Sequence, residues 1–461
     1  MSEGSESNYI PPVEQEERSR IPVLRQHHLL EHPVPSEVLS RYPEAVLDTQ
    51  REIFRYLDSQ PAEYTAQLKE LNQQIPEGMH EQTKIVACIP VAGTQESKNI
   101  FNTIESFNNQ NADKNMFEVI LLVNIPERFI ESKRTEFDET VAEIERAQKE
   151  FPDLKVRKVI VGLPDDQVRI GNIRKIATDL ALIRRHEAGI TSDTLLLSND
   201  ADNEGLAPEY LSQFVRYAEE NPDKDGAVGN LQYDPQSFVR FPTIAVGTEF
   251  STLLDQRGFK NGNVDLFGNN SMMKSSIYAS IGGYPSVLRT GEQEWTGDTI
   301  RELRKSKGTL GFVDQALLVT SGRRLVISHL QDRKEQIGFG DEKAEEAMRA
   351  LDIEALPFFD YSNPKATTQM IGEIQETIND LVSTYESSDR LGKNSWFYRD
   401  HLDALGITTQ VVGEPNDSSS FIQITDLSRF VERQKRMQQV LNSGEKNMAK
   451  VFQAAPYFRE V

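Results

Sequence analysis

From residue 84 onward, short apolar runs alternate with amphipathic stretches. Four runs are brief, rich in Val, Ile and Leu, and bounded by turn residues, which predicts β-strands at Ile85–Ile89, Val119–Val123, Val156–Val161 and Thr194–Leu197. Between these runs, apolar residues recur at helical spacing. Strands that alternate with helices pair in parallel through right-handed crossovers. The pattern therefore predicts an α/β domain with a mostly parallel sheet flanked by helices.

Outside this domain the pattern is mainly helical. Apolar residues at helical spacing over 35–75 predict an N-terminal helical extension, and a helical pattern interrupted by prolines fills 331–461. Residues 1–20 are rich in Ser, Glu, Asn and Pro with few apolar positions, which predicts disorder. We therefore divide the chain into a disordered 1–20, an extension at 21–81, the α/β domain at 82–330 and a C-terminal helical region at 331–461.

The second half of the α/β domain has weaker periodicity. It predicts a helix over 208–221, a strand at Ala227–Leu231 and a further strand within 264–274. Another strand is predicted at 325–328.

Composition and charge limit the function. The formal net charge is −21, from 72 acidic and 51 basic residues, and the acidic residues are spread along the chain. General nucleic-acid binding is excluded, because it needs a basic face. The single cysteine, Cys88, lies in an apolar run, which predicts a buried thiol, excludes an intrachain disulfide and fits a reducing compartment. With no signal peptide and no apolar stretch of about 18 residues, we expect a soluble, cytoplasmic protein; peripheral membrane contact stays open.

Asp200 and Asp202 follow the fourth predicted strand at its carboxyl end. Residues two apart on an extended chain point to the same side, so both carboxylates can face one ligand. Open α/β sheets bind ligands beyond the carboxyl ends of their strands, and Mg²⁺ or Mn²⁺ takes oxygen ligands while sharing its shell with substrate phosphates. The pattern favours a metal site. The alternative is a polar loop in which Asp caps the helix that begins near Pro208.

Six segments then follow one another in a recognisable order. They are KIVACIPVAG (84–93), IGNIRKIATDLAL (170–182), LLLSNDAD (195–202), DLFGNNSMMKSSIYASIGGYP (265–285), GEQEWTGDTIRELRKSKG (291–308) and TSGRR (320–324). In sequence and order they resemble glycosyltransferase family 2 and its GT-A relatives, over about 250 residues, which is more specific than any single motif. The resemblance implies a Rossmann-like GT-A fold. It also implies transfer of a sugar from a nucleotide-sugar donor to a hydroxyl-bearing acceptor, which is a glycan, a lipid or a small molecule.

The resemblance implies roles on the donor side. Asp200 and Asp202 would hold Mn²⁺ or Mg²⁺ on the donor diphosphate, with His329 as a further metal ligand. The alternative for His329 is an ordinary, partly buried histidine at the end of the strand predicted at 325–328. Where the family usually has Asp at the end of the second strand, this chain has Asn124, which leaves the identity of the nucleotide open. The donor-binding residues implied by the match are Pro90, Asn124, Arg174, Asp200 and Arg323.

On the acceptor side, the family match implies a carboxylate base. Asp298 is the preferred residue, and a second alignment makes Glu292 or Glu294 the base. Asn269, Asn270 and Trp295 are implied as acceptor ligands. The reaction expected is an inverting single displacement, with a retaining outcome kept open. The alternative function is a catalytically inactive GT-A-like domain that acts as a binding or scaffold protein.

Overall fold

A computed structural model describes residues 21–24, 48–260, 264, 268–284, 310–330, 351–387, 395–412 and 421–454. The predicted disorder of residues 1–20 falls outside them. The strands are β1 (Ile85–Ala92), β2 (Phe117–Pro126), β3 (Val156–Leu163), β4 (Leu195–Ser198), β5 (Asn203–Leu206), β6 (Gly226–Tyr233), β7 (Ser271–Lys274), β8 (Leu310–Thr320), β9 (Thr408–Val412) and β10 (Phe421–Asp426).

The α-helices of the described residues alternate with these strands and also flank them on both sides in sequence. They are α1 (Asp48–Ser59), α2 (Ala62–Asn72), α3 (Ile100–Asn108), α4 (Arg134–Glu150), α5 (Ile170–Glu187), α6 (Tyr210–Glu220), α7 (Pro235–Arg240), α8 (Pro242–Lys260), α9 (Ser275–Ser280), α10 (Arg323–Leu330), α11 (Pro364–Ser387), α12 (Ser395–Ala404), α13 (Ser428–Asn442) and α14 (Met448–Ala454).

Eight strands form one sheet in the order β3-β2-β1-β4-β7-β6-β8-β5. The first four strands are parallel, β7 is antiparallel to both its neighbours, and β8 is parallel to β6 and antiparallel to β5. The predicted α/β class and mostly parallel sheet are confirmed. The strand order reverses between β1 and β4, and such a switch point opens a crevice at the carboxyl ends of the strands.

The central strands are buried on both faces. In β1, Val86 and Cys88 pack into one apolar cluster while Ile85, Ala87 and Ile89 pack into another. This alternation follows from the two-residue repeat of an extended strand. Cys88 is buried as predicted, and burial raises the pKa of its thiol to about 12. The sheet therefore separates two apolar layers.

The N-terminal helices α1 and α2 share an apolar cluster with α5. Beside three tyrosines of that cluster, the fully buried carboxylate of Asp179 on α5 accepts hydrogen bonds from the hydroxyls of Tyr56 and Tyr64, at 2.8 Å each, and of Tyr278 at 3.0 Å. Lys175 pairs with the same carboxylate at 2.7 Å. The N-terminal helices are thus joined to α5 through both apolar and polar contacts.

Two strands expected in the second half of the domain differ from the structure. The strand predicted at 325–328 is wrong, because these residues belong to α10. A short, continuous apolar run fits a buried helix as well as a buried strand, so its pattern alone does not distinguish the two. The strand predicted within 264–274 is limited to β7, since residues 268–270 form a bend and Val264 lies outside any strand.

The C-terminal residues form a third apolar cluster with α7 and α8. This part contains α11 to α14, in agreement with the mainly helical pattern, and also the antiparallel hairpin β9–β10, which was not predicted. The predicted boundary at 331 stays a prediction. Within the residues described, no helix combines the length and the apolar character needed to cross a membrane.

Candidate active site

The loop after β4 carries the two predicted metal ligands at the switch point of the sheet. The side chains of Asp200 and Asp202 are 33% and 30% exposed. Asn199, which precedes the pair, and Ala201, which lies between its members, are buried. The amide N–H of Asp200 donates to Asn269 Oδ1 at 3.1 Å. Both carboxylates are therefore open to solvent in part, on a loop whose backbone is held by its neighbours.

Each of these carboxylates faces an arginine. Arg174 on α5 donates from Nη2 to Oδ1 of Asp200 at 2.6 Å, and Nη2 of Arg323 lies 3.9 Å from Oδ2 of Asp202. The predicted donor-binding arginines and the predicted metal-binding aspartates are thus brought together. The hydrogen bond from Arg174 to Asp200 is charge-assisted, and such bonds are shorter and stronger than neutral ones.

Gly268 makes room for the arginine next to Asp200. A Cβ atom at this position would lie 2.0 Å from Nη1 of Arg174, so any side chain here would displace the guanidinium from its present position. The carbonyl of Gly268 also accepts a hydrogen bond from the hydroxyl of Ser198 at the end of β4. Sequence reasoning missed this contact, and the only signal for it was a glycine that precedes the Asn-Asn pair.

The two asparagines before β7 have different environments. Asn269 is partly exposed and bonds the amide of Asp200. Asn270 is fully buried with φ of 58°, in the left-handed region that Asn tolerates better than most residues, and its Oδ1 accepts from the hydroxyl of Tyr210 at 2.9 Å. That environment suits a residue that supports the loop. Contact of either asparagine with an acceptor stays a prediction.

The predicted nucleotide-binding residues lie at the carboxyl ends of β1 and β2. Pro90 is buried within β1. Asn124 is 5% exposed, and its side-chain Nδ2 donates to the carbonyl of Val91 at 2.8 Å, which cross-links the two strand ends. The amide of Gly93 donates in turn to the carbonyl of Asn124 at 2.9 Å. These contacts hold the strand ends beside the switch point, and a role in nucleotide binding stays a prediction.

His329, the predicted further metal ligand, is exposed near the end of α10. Its ring packs edge-on against Phe241 with 5.6 Å between ring centroids, and it lines a cavity of about 160 Å³ together with Glu373. In the described part of the chain, no three His, Cys, Asp or Glu side chains are grouped to hold one metal ion. Two carboxylates supply hard oxygen donors that fit Mg²⁺ or Mn²⁺. The contribution of His329 stays a prediction.

Two further carboxyl groups, those of Glu204 and Asp234, lie near the loop that carries Asp200 and Asp202, here called the acidic loop, and were missed by sequence reasoning. Burial, with the neighbouring Asp234 and Asp202 carboxylates, raises the pKa of Glu204 to about 8, while Arg323 opposes the shift. Burial likewise raises the pKa of Asp234 to about 7. Glu204 follows Asp202 at the same two-residue spacing that joins Asp202 to Asp200, and this repeat was the available signal. Glu204 and Asp234 therefore retain protons to a higher pH than ordinary carboxyl groups do.

The predicted acceptor-side residues Glu292, Glu294, Trp295 and Asp298 lie outside the described residues. Their roles stay predictions.

Comparison with known proteins gives partial structural similarity. No protein family model matches the sequence, and neither does any curated protein. Among solved structures, the chain is similar to S. aureus TarS 1–349 in complex with UDP, at 14% identity and a TM-score of 0.35 over 75% of this chain and 97% of the other. It is also similar to mannosyltransferase PcManGT from Pyrobaculum calidifontis in complex with GDP-Man and Mn²⁺, at 12% identity and a TM-score of 0.34 over 74% and 86%. At such TM-scores the similarity is partial, and the loop after β4 carries the case for a function.

Proposed function

We propose that this chain is a glycosyltransferase that moves a sugar from a nucleotide-diphosphate sugar to an acceptor hydroxyl with the help of a divalent cation. The observation that supports the proposal most is the position of Asp200 and Asp202, which are both partly exposed directly after β4 at the switch point of the sheet. Ligands of open α/β sheets bind in this crevice. The order of the sequence segments that resemble family 2 supports a nucleotide sugar as the ligand.

Asp200 and Asp202 are the residues that would hold Mn²⁺ or Mg²⁺. When bound, such a cation offsets the negative charge that develops on a departing diphosphate. The phosphate oxygens of the donor are suitable additional ligands, because these cations commonly share their shell with substrate phosphates. His329 is the further protein ligand proposed.

Arg174 and Arg323 are the residues of this chain that would bind the diphosphate. Both guanidinium groups lie beside the acidic loop, and a guanidinium binds phosphate oxygens in a bidentate manner. Arg323 begins α10 directly after the last residues of β8, so its side chain starts at the carboxyl edge of the sheet. Pro90 and Asn124, at the same edge, would border the nucleoside.

On the acceptor side, a carboxylate removes the proton of the hydroxyl group as its oxygen attacks the anomeric carbon. The sugar–diphosphate bond breaks in the same step, which is a single displacement with inversion and without a covalent enzyme intermediate. We propose Asp298 as this base, with Glu292 and Glu294 as the alternatives, and Asn269, Asn270 and Trp295 as acceptor contacts. Asp298→Ala is expected to keep donor affinity and lose transfer. Undiminished turnover by this variant would move the base to Glu292 or Glu294.

A panel of nucleotide sugars tests the proposal. The purified protein is incubated with each donor and a set of glycan, lipid and small-molecule acceptors, with Mn²⁺ or with EDTA. We expect release of the nucleotide diphosphate that depends on the cation. Thermal stabilisation by a nucleotide without any release would favour an inactive GT-A-like binding or scaffold protein. If no donor gives either nucleotide release or thermal stabilisation, the proposal is contradicted.

A further inference from the structure

The acidic pair after β4 already has its own countercharge. The guanidinium groups of Arg174 and Arg323 bring two positive charges to the two carboxylates of Asp200 and Asp202. The contacts are unequal, because Arg174 is at hydrogen-bond distance, 2.6 Å, while Arg323 is at 3.9 Å. Arg174 therefore occupies Oδ1 of Asp200, one of the oxygens that a metal ion would use.

The guanidinium of Arg174 is incompletely satisfied in this position. Its side chain is 12% exposed, and Nε is buried without a hydrogen-bond partner among the described residues. A buried donor that lacks a partner costs free energy, whereas a phosphate group accepts from two guanidinium nitrogens at once. A diphosphate that reached this crevice would therefore offer Arg174 a better partner than a single oxygen of Asp200.

We infer that Arg174 competes with the divalent cation for Asp200 in the free protein and transfers to the donor diphosphate when the donor binds. This inference rests on the proposed function and adds an order to it. Without a diphosphate, the cation must bind beside a fixed positive charge and without full access to Asp200, so its affinity is low. With a diphosphate, Arg174 leaves Asp200, and the cation binds together with the donor.

The inference predicts a coupling between two ligands that a single substitution changes in a defined direction. If Arg174 only supported Asp200, its removal would leave cation binding unchanged or weaken it. If Arg174 competes with the cation, its removal strengthens cation binding, because a repulsive charge is lost and Oδ1 becomes accessible. Linkage requires that the nucleotide then enhances cation binding less than in the wild type, and the cation enhances nucleotide binding less by the same factor.

The experiment is a titration of Mn²⁺, followed by the electron paramagnetic resonance signal of the unbound ion. It uses wild type and Arg174→Gln, each alone and with a saturating amount of uridine or guanosine diphosphate. We expect Arg174→Gln to bind Mn²⁺ alone about tenfold more tightly than the wild type does. Arg216→Gln, which removes one charge from an exposed position in the middle of α6, is the matched control and should behave as wild type.

A second variant moves the guanidinium without removing its charge. In Gly268→Ala, the new Cβ meets the far end of the flexible Arg174 side chain, which can shift at small cost to the fold. Tighter binding of Mn²⁺ alone is expected here as well, by a smaller factor than in Arg174→Gln.

Equal or weaker Mn²⁺ binding by Arg174→Gln, in a variant whose circular dichroism matches the wild type, would overturn the inference while leaving the proposed function intact. If neither the wild type nor Arg174→Gln binds Mn²⁺ with or without either nucleotide, the proposed metal-dependent function itself is contradicted. The inference is supported in its strongest form if, without any nucleotide, Arg174→Gln binds Mn²⁺ and the wild type does not.

Discussion

Arg433 and Glu249 form a buried, bidentate ion pair that joins α13 to α8. Nη1 and Nη2 of the arginine donate to the two carboxylate oxygens at 3.0 and 2.6 Å. The two residues are 184 positions apart, and the apolar residues around them belong to one cluster. The C-terminal helices are therefore packed onto α8, in the second half of the sheet domain, through a buried ion pair. Removal of either partner of such a pair destabilises the protein.

Breaking this pair is expected to destabilise the protein. Arg433→Ala leaves the Glu249 carboxylate buried without its partner, which costs about 3–5 kcal/mol in the free energy of unfolding. Urea unfolding measures the loss. Arg436→Ala is the control, because it removes an exposed pair with Glu432 on the same helix and should cost about 0.3–0.5 kcal/mol. Similar losses in the free energy of unfolding for both variants would show that the buried pair contributes no more to stability than the exposed pair does.

Asp234 is expected to make stability depend on pH. Burial raises its pKa from its ordinary value of 3.8 to about 7 in the folded protein. The stability that this group contributes is therefore complete below pH 3.8 and is lost as the pH rises through about 7. Asp234→Asn cannot ionise, and its side-chain oxygen can still accept from the amide of Gln236.

We expect the free energy of unfolding of the wild type, relative to Asp234→Asn, to fall with rising pH by up to about 1.4 kcal/mol per pH unit within that window. Urea unfolding at a series of pH values measures the difference. The free energy of unfolding of Asp223→Asn, a substitution at an exposed position, should change with pH as that of the wild type does. A parallel course for Asp234→Asn would mean that Asp234 is charged in the folded protein at these pH values.

Gly229 in β6 is expected to be essential for the packing behind the acidic loop. A Cβ atom there would lie 2.4 Å from Oδ1 of the buried Asn270 and 2.6 Å from the carbonyl oxygen of Ala316. Gly229→Ala should therefore destabilise the protein by about 1–3 kcal/mol, because a backbone atom must move. Gly372→Ala, in α11 with nothing near the new Cβ, should stabilise by about 1 kcal/mol. Urea unfolding of the two variants tests both signs, and a neutral Gly229→Ala would contradict the packing described.

In the first half of the sheet, β1 and β2 could be predicted from the sequence because they are buried on both faces. Complete burial leaves runs of Val, Ile and Leu that mark β1 and β2 directly, and the polar residues after β4 mark the end of a strand. The acidic pair was found in the same way. Position at a strand end is local information, and the sequence contains it.

The partners of the acidic pair could not be predicted, since they depend on contacts between distant segments. That Arg174 reaches Asp200 follows from the packing of α5 beside β4 and from the space left by Gly268. The hairpin β9–β10 was missed for a different reason. Its strands are short and several of their residues are exposed, so the apolar signal is weak.

Donor binding by Asp202→Asn tests the proposed metal site most directly. The variant replaces one carboxylate oxygen by an amide nitrogen on a partly exposed loop, so the fold should be unchanged by circular dichroism and urea unfolding. Calorimetric titration of the wild type with its donor should show binding that depends on Mn²⁺, and the same titration of Asp202→Asn should show none. Binding of donor and Mn²⁺ by the variant with the affinity of the wild type would contradict a metal site at Asp200 and Asp202.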